Sequence, residues 1–267
     1  MAVSSAAQQA EINAFNKLSK VLGNPEAFAK PAGFETAFPD FGFTLMMDRN
    51  PLDLHIEYKA DAKAQMGSMR DWIFDGNKFT SNDMGNEDKK DMLEIMSANK
   101  TCVENGKRLL KDLKTYFDPR VTKLYSGVLT IISDKTLRRT KLLDFVNNTK
   151  NYQLANIDDT SMGDMIISHY QKKFKKSRIG SNPSILMMMI GNELWNIEKT
   201  SNVTNDMMNK VFQKLSVGKL NNLNNLKAKL EVRIQPRGLS SPGKPNSIDV
   251  MASFRLSGKP SGGTIVI

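Results

Sequence analysis

Apolar residues recur at helical spacing over residues 5–22, where Ile12, Phe15, Leu18 and Leu22 share one stripe. The run Gly23-Asn24-Pro25 stops that helix. Period-two patterning follows. Residues 41–47 (FGFTLMM) form an apolar and aromatic run and residues 52–59 (LDLHIEYK) alternate strictly, with the turn cluster Asp48-Arg49-Asn50-Pro51 between them. Two such runs around a short polar turn predict a β-hairpin. Residues 60–70 shift towards helical composition, and 80–90 (TSNDMGNEDKK) reads as a polar loop. Helices are expected at 91–117, 135–150, 161–177 and 203–215, with a strand in LTII near Ile132. Apolar runs on either side of Gly191-Asn192 predict a second hairpin over 184–197. Two more strands, 229–235 and 247–256, flank a Pro/Gly/Ser loop at 236–246.

The pattern predicts an α/β (α+β) protein, a mixed central sheet flanked by helices with a basic helical insertion and C-terminal strands. No repeat or linker divides the chain. The expected organisation is one domain over residues 1–267, with a core at about 5–80 and an elaboration from about 90 to 267.

Composition narrows the chemistry. With one cysteine and two histidines, a cysteine-based zinc site, a disulfide framework and a multi-histidine metal centre are excluded. Metal chemistry would have to use carboxylates, which favour a hard ion such as Mg²⁺. The N-terminus lacks the features of a signal peptide, and Ile185 to Ile190 is far shorter than the about 20 apolar residues that span a bilayer. The expectation is a cytoplasmic protein with no membrane partner. A formal charge of +10 points to an acidic partner, of which nucleic acid is the commonest. No phosphate-binding loop, dinucleotide-binding glycine pattern or nucleophile elbow is present.

Strand alternation puts Leu52, Leu54, Ile56 and Tyr58 on one face of the 52–59 strand, and Asp53, His55, Glu57 and Lys59 on the other. Such a titratable face is either a solvated half of a sheet or the floor of a site. Asp40 stands just before the partner strand, so the hairpin can bring it to Glu57, with Lys59 beside them. Two convergent carboxylates supply oxygen ligands for Mg²⁺, and an adjacent ammonium can orient a water or help its deprotonation. Asp53 is the alternative ligand, and His55 shares the face. Other acid-x-Lys triplets occur, such as Asp61-Ala62-Lys63 and Asp112-Leu113-Lys114, but they lie in polar or helical stretches.

Pro39-Asp40, a 17-residue step, then Glu57-Tyr58-Lys59 resembles the PD-(D/E)xK nuclease superfamily, which includes many restriction enzymes. The similar segment covers about 30 residues. The resemblance implies a restriction-endonuclease-like fold and Mg²⁺-dependent hydrolysis of double-stranded DNA, with endonuclease action ahead of exonuclease. Asp40 and Glu57 would bind the metal and Lys59 would serve the attacking water. Gln65 would match a glutamine on the helix after the lysine strand. An early-helix glutamate, Glu11 or Glu35, could join the metal. Cutting both strands at symmetric sites would call for a homodimer. Basic residues Arg138, Arg139, Lys172, Lys173, Lys175 and Lys176 are the candidate contacts to DNA phosphates. The competing reading is a non-catalytic, basic nucleic-acid-binding or assembly protein. The two differ in whether Asp40, Glu57 and Lys59 converge.

Overall fold

The structure, a computed structural model, describes residues 6–31, 38–82, 87–149, 152–159, 161–178, 180–238 and 246–265. In chain order the elements are α1 (Ala6–Val21), β1 (Glu26–Ala29), β2 (Phe41–Met47), β3 (Asn50–Lys59), β4 (Gln65–Arg70), β5 (Trp72–Phe74) and β6 (Phe79–Ser81). There follow α2 (Glu87–Ala98), α3 (Lys100–Tyr116), α4 (Lys135–Asn148), β7 (Gln153–Asp158) and α5 (Ser161–Ser177). The chain closes with β8 (Ser184–Ile190), β9 (Glu193–Lys199), α6 (Asn205–Lys214), β10 (Ala228–Arg237), β11 (Ser247–Leu256) and β12 (Thr264–Ile265). Among the described residues no helix is long and apolar enough to cross a membrane.

The chain divides into two compact units, each assembled from separated stretches. The first contains Met1–Ala64, Thr160–Ala228 and Leu256–Ile267, and the second Gln65–Asp159 and Lys229–Arg255. Each unit therefore draws on both the expected core and the expected elaboration.

The first unit is built on a six-stranded mixed sheet of order β1-β2-β3-β8-β9-β12. β2 and β3 form the expected hairpin, turning at Asp48 and Arg49, both with positive φ. β3 and β8 run parallel, in the register His55↔Leu186 and Glu57↔Met188. One face is apolar: Phe41, Phe43, Leu54, Ile56, Met187 and Met189 pack with Ala14 and Leu18 of α1 and Val211 of α6. Phe15 of α1 stacks on Phe43 at 5.1 Å between ring centres.

The other face is covered by α5, whose buried stripe is Met162, Ile166, Tyr170 and Phe174. That stripe follows the 3.6-residue period of the helix expected at 161–177. Gly163 belongs to the same helix for a steric reason, since a Cβ there would overlap the Leu226 carbonyl oxygen. The titratable side of β3 is thus a buried surface, not a solvated one.

The second unit holds a four-stranded sheet of order β4-β11-β10-β7 and the small β5-β6 hairpin, with helices α2, α3 and α4. Four local expectations change here. Residues 65–70 form a strand instead of a helix: Met66 and Met69 are buried while β4 pairs antiparallel with β11. The stretch expected as a loop at 80–90 ends strand β6 on one side and starts α2 on the other; residues 83–86 lie outside the described residues. The 91–117 helix is two helices, because Asn99 breaks the run and caps α3, accepting from the Cys102 N–H at 2.9 Å. LTII is not a strand. Val128–Ile131 is a 3₁₀ turn that opens at Gly127, with φ +78°.

Candidate active site

Asp40, Glu57 and Lys59 converge at one end of the hairpin. The register pairs Gly42 with His55, so two residues outward along each strand Asp40 comes opposite Glu57. Asp40 is held by its backbone environment: the Tyr58 N–H donates to its Oδ2 at 2.7 Å. Lys59 Nζ donates to Glu57 Oε1 at 2.6 Å and lies 3.7 Å from Asp40 Oδ2. The ammonium therefore stands between the two carboxylates. Lys59 and Glu57 are largely withdrawn from solvent, at 13% and 8% side-chain exposure.

The electrostatics follow from that burial. Burial pushes the Asp40 carboxyl up to about 7; the charge of Glu57 adds to the rise, and Lys59 and the Tyr58 N–H only partly oppose it. For Lys59 burial disfavours the charged form, yet Tyr170, Glu57 and Asp40 outweigh it and hold the ammonium well above its ordinary range. Glu11, on α1, is drawn into the same field. Its carboxyl is raised by burial, while Lys59 pulls it down and Glu57 pushes it up. Glu35, the other early glutamate considered, lies outside the described residues.

The sequence reading did not single out Tyr170. It comes from α5, 113 positions after Glu57, with no motif around it, and only the packing of α5 across the sheet brings it here. It is buried, and its hydroxyl hydrogen-bonds Glu57. Lys59 Nζ is 5.9 Å from the Tyr170 ring centre and Lys173 Nζ is 5.7 Å from it. Phe38 stacks on the same ring at 6.3 Å.

The remaining candidates separate by position. Asp53 is buried and structural, accepting from Thr44 Oγ1 at 2.8 Å and Asn182 Nδ2 at 3.2 Å. His55 is buried between the rings of Phe28 and Phe174, 4.9 and 5.1 Å away. Gln65 opens strand β4 of the second unit and is exposed, so it has no helix to present it as the resemblance implied. Arg138 requires a correction as a DNA contact. It is buried, with Nε and Nη2 donating to the Ile132 carbonyl at 2.9 and 2.7 Å, and it clamps the chain before α4. Arg139 is half-buried and donates to the Gly238 carbonyl at 3.0 Å. Lys172, Lys173, Lys175 and Lys176 remain on the exposed side of α5, since only Phe174 in that run turns inward.

Burial lowers the His55 pKa from 6.5 to about 4. The unfolded chain then takes up a proton at higher pH than the folded one, so the contribution of His55 to stability is full above 6.5 and is lost as pH drops towards 4. The difference corresponds to about 3 kcal/mol. Urea unfolding of metal-free wild type and His55→Phe at pH 7 and 4.5 checks this. On acidification the stability of the wild type is expected to fall relative to that of the variant, and an unchanged difference would contradict it.

The set has two carboxylates beside one ammonium. Among the described residues no group of three or more His, Cys, Asp or Glu side chains is arranged to hold a metal ion. A hard ion that keeps much of its water needs only one or two protein carboxylates. Asp40 and Glu57 thus fit a divalent cation. Protein-family models, curated proteins and solved structures give no match to this chain, so the chemical reading rests on the geometry.

Proposed function

We propose that the protein is a Mg²⁺-dependent deoxyribonuclease of restriction-endonuclease-like fold that hydrolyses phosphodiester bonds of double-stranded DNA by endonucleolytic cleavage. The observation that carries the reading is the convergence of Asp40 and Glu57 on the Lys59 ammonium, at 3.7 and 2.6 Å, inside a largely buried site. A solvated strand face would leave these side chains splayed. The mixed sheet, with α1 and α6 on one face and α5 on the other, also supports it.

Asp40 and Glu57 would hold Mg²⁺, with Glu11 near enough to influence its charge. When bound, the ion supplies stabilisation of charge on the phosphate and on the leaving oxygen. Lys59 orients the attacking water and answers the negative charge that develops on the phosphate. The exposed lysines of α5 neutralise backbone phosphates, which holds DNA without reading its bases. Lys173 is the best placed of them, because its ammonium sits over the ring of Tyr170, which itself bonds Glu57.

Supercoiled plasmid incubated with the wild-type protein tests the reading. Nicked and linear products with Mg²⁺ and none with EDTA are the expected result. DNA that stays intact with Mg²⁺, but shifts in a gel, would replace the reading with a non-catalytic DNA-binding protein.

A further inference from the structure

We propose that Tyr170 is a positioning residue for the metal site: its hydroxyl holds Glu57 in the orientation that takes up the cation. The inference rests on the nuclease reading and assigns a role that the acidic pair and the lysine leave unfilled. Glu57 accepts hydrogen bonds from different parts of the chain, from Lys59 at 2.6 Å and from the hydroxyl of Tyr170. Lys59 is shared, since its ammonium also faces Asp40 at 3.7 Å and is the group that must serve the water.

The ring of Tyr170 is fixed on several sides, by Phe38 at 6.3 Å and by the ammonium groups of Lys59 and Lys173 at 5.9 and 5.7 Å. Its phenolic O–H is a donor at neutral pH. If Lys59 turns from Glu57 towards the water, the Tyr170 hydroxyl is what keeps the carboxylate from rotating with it. A buried tyrosine that merely satisfied its own hydroxyl could bond any carbonyl nearby. This one bonds the carboxylate that the motif requires. Hydrogen bonds to metal-bound carboxylates orient them, and loss of such a partner costs about tenfold to a hundredfold in metal affinity.

Tyr170→Phe removes the hydroxyl and keeps the ring. Calorimetric titration of Mn²⁺ into metal-free wild type, Tyr170→Phe, Glu57→Gln and the double variant reads the effect without turnover. The expected result is a Kd raised about tenfold to a hundredfold in Tyr170→Phe, with no further loss when it is added to Glu57→Gln. Plasmid cleavage by Tyr170→Phe should be weak at low Mg²⁺ and recover towards wild type at saturating Mg²⁺. Wild-type Mn²⁺ affinity in Tyr170→Phe, or losses that add fully in the double variant, overturns the proposal. If circular dichroism shows Tyr170→Phe unfolded, the test moves to wild type carrying ¹³Cζ-tyrosine. A Tyr170 resonance that keeps its hydrogen-bonded shift on addition of Mg²⁺ supports the role, and loss of that shift overturns it. Wild type that neither binds Mn²⁺ nor cuts DNA ends the nuclease reading and this inference with it. Wild type that does both, while Tyr170→Phe matches it, ends the inference alone.

Discussion

Asp40→Asn is expected to abolish plasmid cleavage and, in the same protein, to raise stability in metal-free buffer at pH 8. The two effects share one cause. Asp40 is a carboxylate whose charge burial disfavours, and its pKa rises from 3.8 to about 7 through burial, with the charge of Glu57 adding to the rise. The folded protein therefore binds a proton at Asp40 that the unfolded chain has already released. The contribution of Asp40 to stability is full below pH 3.8, falls as pH climbs, and is lowest above about 7. The shift corresponds to about 4 kcal/mol. Asparagine cannot ionise, and its oxygen can still accept from the Tyr58 N–H that now bonds Asp40 at 2.7 Å. The gap in melting temperature between variant and wild type should thus widen from pH 4 to pH 8. Loss of a charged ligand should lower cleavage on the order of a thousandfold. A variant that is less stable than wild type at pH 8 would show that the carboxylate is not strained. A variant that still cuts would remove Asp40 from the metal site.

Gly163→Ala tests the packing that builds the site. Gly163 lies in the first turn of α5, the helix that carries Tyr170 and Phe174 onto the sheet. An added Cβ would overlap the Leu226 carbonyl oxygen, a backbone atom that cannot rotate away as a side-chain end can. In an ordinary helix position, alanine in place of glycine would stabilise by up to about 1 kcal/mol. Here the sign should reverse, with a loss of about 3 kcal/mol from the forced separation of helix and chain. Urea unfolding measures it. Cleavage should fall too, because shifting α5 displaces the Tyr170 hydroxyl from Glu57. A neutral or stabilising effect would mean that α5 is not pinned at this point.

Much of the first unit was legible in local pattern. The stripe Ile12, Phe15, Leu18 and Leu22 announced α1, and strict alternation from Leu52 to Lys59 announced β3, because successive side chains of a strand point to opposite faces. Alternation also put Glu57 and Lys59 on one side, and the hairpin turn fixed Asp40 across from them. The failures share a reason as well. Residues 65–70 have a composition that suits a helix, yet pairing with β11, some 180 positions away, makes them a strand. No local window contains that partner. Arg138 reads as a surface cation beside Arg139, but its guanidinium turns inward to the Ile132 carbonyl. Charge in a sequence does not reveal which way a side chain faces.

By itself, then, the sequence determined the elements whose period is short and the acidic pair and lysine that a single hairpin can assemble. Its composition also excluded a cysteine-based zinc site and a multi-histidine metal centre. Only the tertiary structure decided that the titratable face is buried, since that needs α5 laid across a sheet whose parallel strands β3 and β8 are separated by more than 120 residues. The same packing brought Tyr170 to Glu57 and raised the Asp40 carboxyl. Those properties depend on desolvation and on distances between groups remote in the chain, and neither quantity exists until the chain has folded.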